Sequence, residues 1–317
     1  MRFAIAILAI TLTSFTALGQ APPTLHLRTE VVGLPSELFY GDIKVKPLRL
    51  RPGTNIPITI NDSDFFVHQH YVDFLSRMPD QGGFSFWNGE ITSCGGDVVC
   101  IDVKRQNVSA AFFLSIEFQQ TGYLVYRIYK SSFGDLPGKP VPVRRESFMP
   151  ETRSISNGLV VGLPGWEALL EGNKQAYALA FVQRPAFLAA FPTTMPATQF
   201  VDKLDLNAAG GVGGVLSSSE KDAIVAALNQ GPADPARRAT ALRAVAENQN
   251  LQNREFNKAF VLMQYFGYLR RNPDDLPDHN YDGWQFWYDK LNNFNGNFIQ
   301  AEMVKAFILS IEYGQRF

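Results

Sequence analysis

The 317-residue chain has little cysteine, little histidine and no block of one charge. Each scarcity excludes something. Cysteine occurs only at Cys94 and Cys100, within the loop SCGGDVVC. Two thiols cannot build a disulfide scaffold, and a zinc site would lack its remaining ligands. The pair reads as a single disulfide closing a small loop in an exported protein. His68 and His70 lie two apart on a predicted helix and face different directions, so they cannot chelate one ion together, and His26 and His279 stand alone. With 29 basic against 30 acidic residues and no single-sign run, nothing points to nucleic acid or an anionic membrane surface. The longest apolar run, residues 3–18, is broken by Thr and Ser and is short for a bilayer span. Arg2 before it and Ala17-Leu18-Gly19 after it fit a cleaved signal peptide over residues 1–19. Export to the periplasm, the medium or the cell surface follows, with no integral membrane segment after cleavage. No Ser-His-Asp elbow can be assembled, and GGVGG (210–214) lacks the strand-to-helix context and lysine of a phosphate loop.

What the chain does have is repetition. FVHQHYVDFLSRMPD (66–80) returns as FVLMQYFGYLRRNPD (260–274), sharing Phe, Val, Tyr, Leu, Arg, Pro and Asp at matching columns. GGFSFW (82–87) is answered by DGWQFW (282–287), and AFFLSIEFQQ (111–120) by AFILSIEYGQ (306–315). Repeats fix architecture first, because each unit buries its apolar face against a neighbour. The stripe Val67, Tyr71, Phe74, Leu75 and Met78 has helical period, with Ser63 or Asp64 as cap and Pro79 as stop. Ser115 with Glu117 starts a further helix, and Ser217 with Glu220 forms a capping box. The six-residue spacings Phe181/Phe187 and Val245/Leu251 match Phe112/Phe118 and Phe307/Tyr313, so two worn copies lie between the clear ones.

The expected fold is all-α: tandem short-helix repeats packed as one or two lobes behind a short extended or β leader. The segments are a leader over 20–62, a first repeat domain over 63–133 and a Pro/Gly-rich linker over 134–165. Degenerate repeats follow over 166–259, and the second clear repeat covers 260–317.

The pattern Y-x-x-x-L-x-R-x-P-D, then G-aromatic-x-F-W, then F-x-x-S-x-E-F resembles the bacterial domain-of-unknown-function family 4214. Tyr71, Leu75, Arg77, Pro79, Asp80, Gly83, Phe84, Phe86, Trp87, Phe112, Ser115, Glu117 and Phe118 carry it in the first copy. Tyr265, Leu269, Arg271, Pro273, Asp274, Gly283, Trp284, Phe286, Trp287, Ser310, Glu312 and Tyr313 carry it in the second. The resemblance covers most of residues 63–317. It implies a helical domain like that of phycobilisome linker proteins, in secreted or surface proteins, and no defined reaction.

The copies differ chiefly at an acidic insertion, where PDQGGFSFW becomes PDDLPDHNYDGWQFWYD. Asp278-x-Asn280-x-Asp282-Gly283, with Asp289 beyond, has the spacing of an EF-hand-type calcium loop. Gln285 replaces the usual aliphatic residue, and a helix beginning at Trp284 would carry Asp289 away from the ion. The alternative makes Asp282 a helix cap. Arg77/Asp80 and Arg271/Asp274 read as structural, with Arg on helix-end carbonyls or the local Asp and Asp capping the next helix. Glu117 and Glu312 are first-turn acids in equivalent places, which suits the helix dipole better than a catalytic pair. The aromatic clusters 84–87 and 284–288 are expected to plug the inter-helix core. Function then reads as a non-catalytic, exported interaction protein of surface assembly or adhesion, with a protein or surface polysaccharide as partner. The alternative is a secreted hydrolase or carbohydrate-binding module using a groove between lobes.

Overall fold

The structure is a computed structural model, and it describes residues 24–28, 37–45 and 49–317. The signal-peptide reading of residues 1–19 lies outside the described residues. Two compact units are present, Met1–Pro47 and Leu48–Phe317. The first holds a three-stranded antiparallel meander: β1 (Leu25–Arg28), β2 (Glu37–Tyr40) and β3 (Ile43–Lys44). Its pairing sets Leu25 opposite Tyr40, Leu27 opposite Leu38, and Tyr40 opposite Ile43. This is the β leader expected from the alternating pattern.

The second unit is built of short α-helices around a single apolar core. Within it the stretch 134–165 departs from the linker expectation. It forms the helix Arg145–Ile155, with Pro150 inside, and buries Val141, Val143, Phe148, Ile155 and Leu159. Prolines punctuate the backbone, but the apolar residues between them decide burial. The capping signal at Ser63 or Asp64 fails, since the first helix starts from Asp62 without a side-chain cap bond, but others hold. Ser217 and Glu220 form a reciprocal capping box, Ser115 accepts from the Phe118 amide, and Ser310 accepts from the Tyr313 amide. The inner spacings are core positions too, since Phe181, Phe187, Val245 and Leu251 are all buried. Cys94 and Cys100 form the disulfide, with Cα atoms 5.6 Å apart.

Both clear repeats carry a feature that periodicity does not announce. The first helix of each widens into a π-helical turn, Tyr71–Leu75 in one and Tyr265–Leu269 in the other. Each ends on a left-handed residue, Ser76 (φ 55°) or Arg270 (φ 54°). Single π-turns insert one extra residue into the helical ladder and re-aim the side chains around them. Here the two turns pack against each other, and Phe74 meets Tyr268 edge-to-face with ring centroids 5.1 Å apart.

Gly267 occupies the tightest point of that contact. A Cβ added there would lie 2.7 Å from the Phe74 ring, which is itself buried. Replacing Gly by Ala in a helix ordinarily gains up to about 1 kcal/mol, whereas overpacking a buried contact costs about 1–3 kcal/mol. The second effect should win. Gly267→Ala is expected to lower the urea midpoint, and Gly267→Val to lower it further, with the slope of the transition unchanged.

Candidate functional site

The residues that make the repeat recognisable interlock, and each copy builds the same constellation. In the first, the π-turn Tyr71 lies edge-on to Phe112, and the Arg77 guanidinium sits 4.9 Å from the Tyr71 ring centroid. Arg77 then forks onto Glu117, at 2.7 and 2.8 Å, and bonds the Met78 carbonyl. The second copy repeats this with Tyr265 on Phe307, Arg271 over Tyr265, and Arg271 forked onto Glu312 at 2.6 and 3.1 Å. The glycine of G-aromatic-x-F-W is required by the same tyrosine. A Cβ on Gly83 would collide with the Tyr71 hydroxyl, and one on Gly283 would stand 2.7 Å from that of Tyr265.

So Arg77 reaches the local Asp80, as expected, but the carbonyls the two arginines bond lie in the loop beyond the π-turn, not at a helix end, and the main partner of each is the Glu about forty residues on. Sequence offered both residues and no way to join them. Asp80 caps the next helix through the Gly83 amide at 2.8 Å. Asp274 does not do so. It is held by Lys139 and by Arg144, at 3.0 Å, from the Pro/Gly-rich stretch. The insertion supplies a substitute: Asp278 bonds Arg271 at 2.7 Å and approaches Gly283, the places that Asp80 holds relative to Arg77 and Gly83.

That assignment bears on the calcium loop. Asp278 is engaged by Arg271, while Asn280 and Asp282 bond each other, at 2.7 and 3.0 Å. Asp282 opens the helix Asp282–Asn293, and Asp289 lies within it, bonded to Gln285 at 2.8 Å. Among the described residues no three His, Cys, Asp or Glu side chains come together as a metal-holding group. The GGVGG loop is likewise occupied from within, because the Val215 and Leu216 amides following it donate to the buried Asp205 carboxylate.

Between the two π-turns lies a polar cluster that spans the repeats. Asp73 is buried and accepts from Arg316, at 2.8 and 2.9 Å, from Arg270, at 3.1 and 3.2 Å, and from Gln69. Burial pushes its carboxyl up, but Arg316 and Arg270 outweigh burial and hold it below the usual value. Beside it His70 Nδ1 meets the Phe66 carbonyl at 2.7 Å, and Nε2 meets the Ser109 hydroxyl at 2.8 Å. Ser109 in turn bonds the Tyr268 hydroxyl. With Nδ1 protonated, this chain runs Tyr268 to Ser109 to His70 to Phe66, every donor matched. Ser109 and His70 have the distance of a nucleophile and its base. The third position, however, is a backbone carbonyl, and His70, Ser109, Phe66 and Tyr268 are all buried. A substrate has no route to them.

One open groove of about 210 Å³ lies between the helix Val98–Leu114 and residues 299–305, lined by Val103, Gln106, Asn107, Ile299, Glu302 and Lys305. It offers one carboxylate, two amides and one ammonium beside aliphatic walls. The aromatic clusters divide. Trp284 is buried and Phe84, Trp87 and Trp287 pack against the core, but Phe86 and Phe286 point to solvent.

Burial drives the His70 imidazole down to about 4, against the smaller opposing effect of its Phe66 hydrogen bond. Unfolded, it would protonate near 6.5. The unfolded chain therefore takes the proton first as pH falls, so stability is whole above about 6.5 and declines by roughly 3 kcal/mol towards pH 4. Asp73 contributes its own acid loss only lower, as pH falls through its depressed value. His70→Gln, which installs the residue that the second repeat carries at Gln264, is expected to flatten stability between pH 6.5 and 4 in urea titrations. An unchanged slope would refute the assignment. Compared with protein-family models, curated proteins and solved structures, the chain matches none.

Proposed function

We propose that this chain is an exported, non-catalytic helical-repeat protein that acts by contact, in surface assembly or adhesion. One observation carries the reading: the two repeats leave the same large apolar side chains in solvent. Phe86 is 59 % exposed and its counterpart Phe286 57 %, and the pairs Leu114/Leu309 and Ile116/Ile311 are exposed as well. A side chain left out of the core once is ordinary. Three left out at equivalent positions of two otherwise divergent copies indicate a repeated contact surface. The resemblance to family 4214 agrees with this reading and adds no reaction to it. A protein or surface polysaccharide is the proposed partner.

Two serine substitutions in each copy, Phe86→Ser with Ile116→Ser and Phe286→Ser with Ile311→Ser, test it. These positions are solvent-facing, so the thermal midpoint should hold while retention of the purified protein on a cell-envelope fraction falls at least several-fold. Undiminished retention would end the proposal. The alternative, a carbohydrate-binding or hydrolytic module, rests on the groove beside Glu302. A single acid there does not supply the acid and base that glycoside hydrolysis uses.

Calcium belongs to the same reading as a stabiliser of the insertion. A cation would have to draw Asp278 from Arg271 and gather it with Asn280 and Asp282. Calorimetric titration of chelator-treated protein decides this. Saturable heat that Asp282→Asn abolishes supports it, and dilution heat alone rejects it.

A further inference from the structure

The β-meander near the N-terminus leaves one uniformly apolar face in solvent. Strand residues alternate between faces, and the observed register places Leu25, Leu27, Leu38, Tyr40 and Ile43 on one face. All five are exposed, between 38 and 72 %. The other face carries His26, Arg28 and Phe39, where His26 stacks on Phe39 and Arg28 caps the same ring. Phe39 is buried, at 6 %. His26 and Arg28 are themselves exposed, so Phe39 alone is covered on that face, while the opposite face is uniformly apolar and open. Cross-strand neighbours on one face lie about 5 Å apart, so the five side chains form one continuous patch.

We propose that this face is a homodimer interface, occupied by the same face of a second copy of the chain. Two arguments select that partner. The first is area. Aromatic side chains cover on the order of 150–250 Å² each and aliphatic ones somewhat less, so the exposed fractions amount to at most about 500 Å², within the range of a monomer's largest patch. Two such faces related by a two-fold axis bury about 1,000 Å² together, the lower bound of a specific interface. The second is chemistry. The patch holds four aliphatic side chains, one tyrosine and no charge, so it presents nothing that would select a charged partner. Interfaces between identical subunits are the more apolar class, and charged residues are depleted from their centres. A two-fold also needs only a self-complementary surface, and stacked sheets meet about 10 Å apart with their strands nearly aligned. A sheet of three strands draws its independent stability from a hydrophobic face that is buried, so the dimer would also stabilise its own leader. This inference does not depend on the contact surface of the helical repeats.

Sedimentation equilibrium of the purified chain over a wide concentration range tests it. A monomer–dimer equilibrium is expected, and Leu27→Asp with Ile43→Lys should weaken it at least about tenfold. The helical unit is a separate compact body, so far-UV circular dichroism and the main thermal transition should stay as they are. Tyr40→Cys, the only free thiol in the chain, should cross-link copies on mild oxidation, because β2 is the central strand. A wild type that stays monomeric throughout overturns the proposal, as does a dimer that the double variant leaves intact. Flotation with neutral phosphatidylcholine vesicles separates the other occupant: monomers that float with lipid would assign the face to a membrane surface instead.

Discussion

The helical unit depends on one buried carboxylate. Asp73 sits on the π-turn of the first repeat, and the guanidinium groups that neutralise it, Arg270 and Arg316, come from the second. Removing a carboxylate from water costs several kcal/mol, and only close, well-oriented cations repay it. Asp73 therefore fixes where the second repeat must lie. Arg316 also donates to the Gly267 and Tyr268 carbonyls, which a π-turn leaves available at its end. The clamp ties the widened turn of one copy to that of the other. Gly267, where the first repeat has Asp73, lets Phe74 into the space that a side chain would fill. The repeats are related, yet their contact is built from the positions at which they differ.

The same logic explains the acidic insertion. In the first repeat Asp80 closes the arginine and starts the next helix. In the second, the segment around Arg144 packs on the repeat and takes Asp274 and Asp275 for ion pairs. The arginine then lacks its local acid, and the extra residues return one in Asp278, while the helix Asp282–Asn293 starts without a side-chain cap. What looked like a private ligand loop is in part the repair of a shared motif displaced by packing. Any cation at this loop would compete with Arg271 for Asp278.

The interior polar groups of the seam hold position. The Ser109–His70 pair has a reactive spacing but lies in the seam between repeats, where its hydrogen bonds fix the orientation of Tyr268. The exposed apolar groups are the reverse case. On the helices they stand on elements whose other faces are held in the core, so keeping them in solvent is not required by the fold. On the reading proposed above, such surfaces serve contact with a partner.

How much was legible beforehand divides along physical lines. The all-α class, the leader strands, the caps at Ser115 and Ser217, the disulfide and most core positions of each repeat depend on local pattern: period, cap chemistry and short separation along the chain. Sequence alone determined these. Joining Arg77 to Glu117, Asp73 to Arg316, or Asp274 to Arg144 requires knowing which surfaces meet, and residues about 40 to 240 positions apart have no local signal for it. The π-turns were equally hidden, because one extra residue in a turn leaves the apolar spacing nearly unchanged. The stretch 134–165 misled for the same reason, since its prolines mark breaks in the backbone and say nothing of what Val141 and Phe148 will bury against. Tertiary structure decided these, because burial converts a neutral spacing into an obligatory partner.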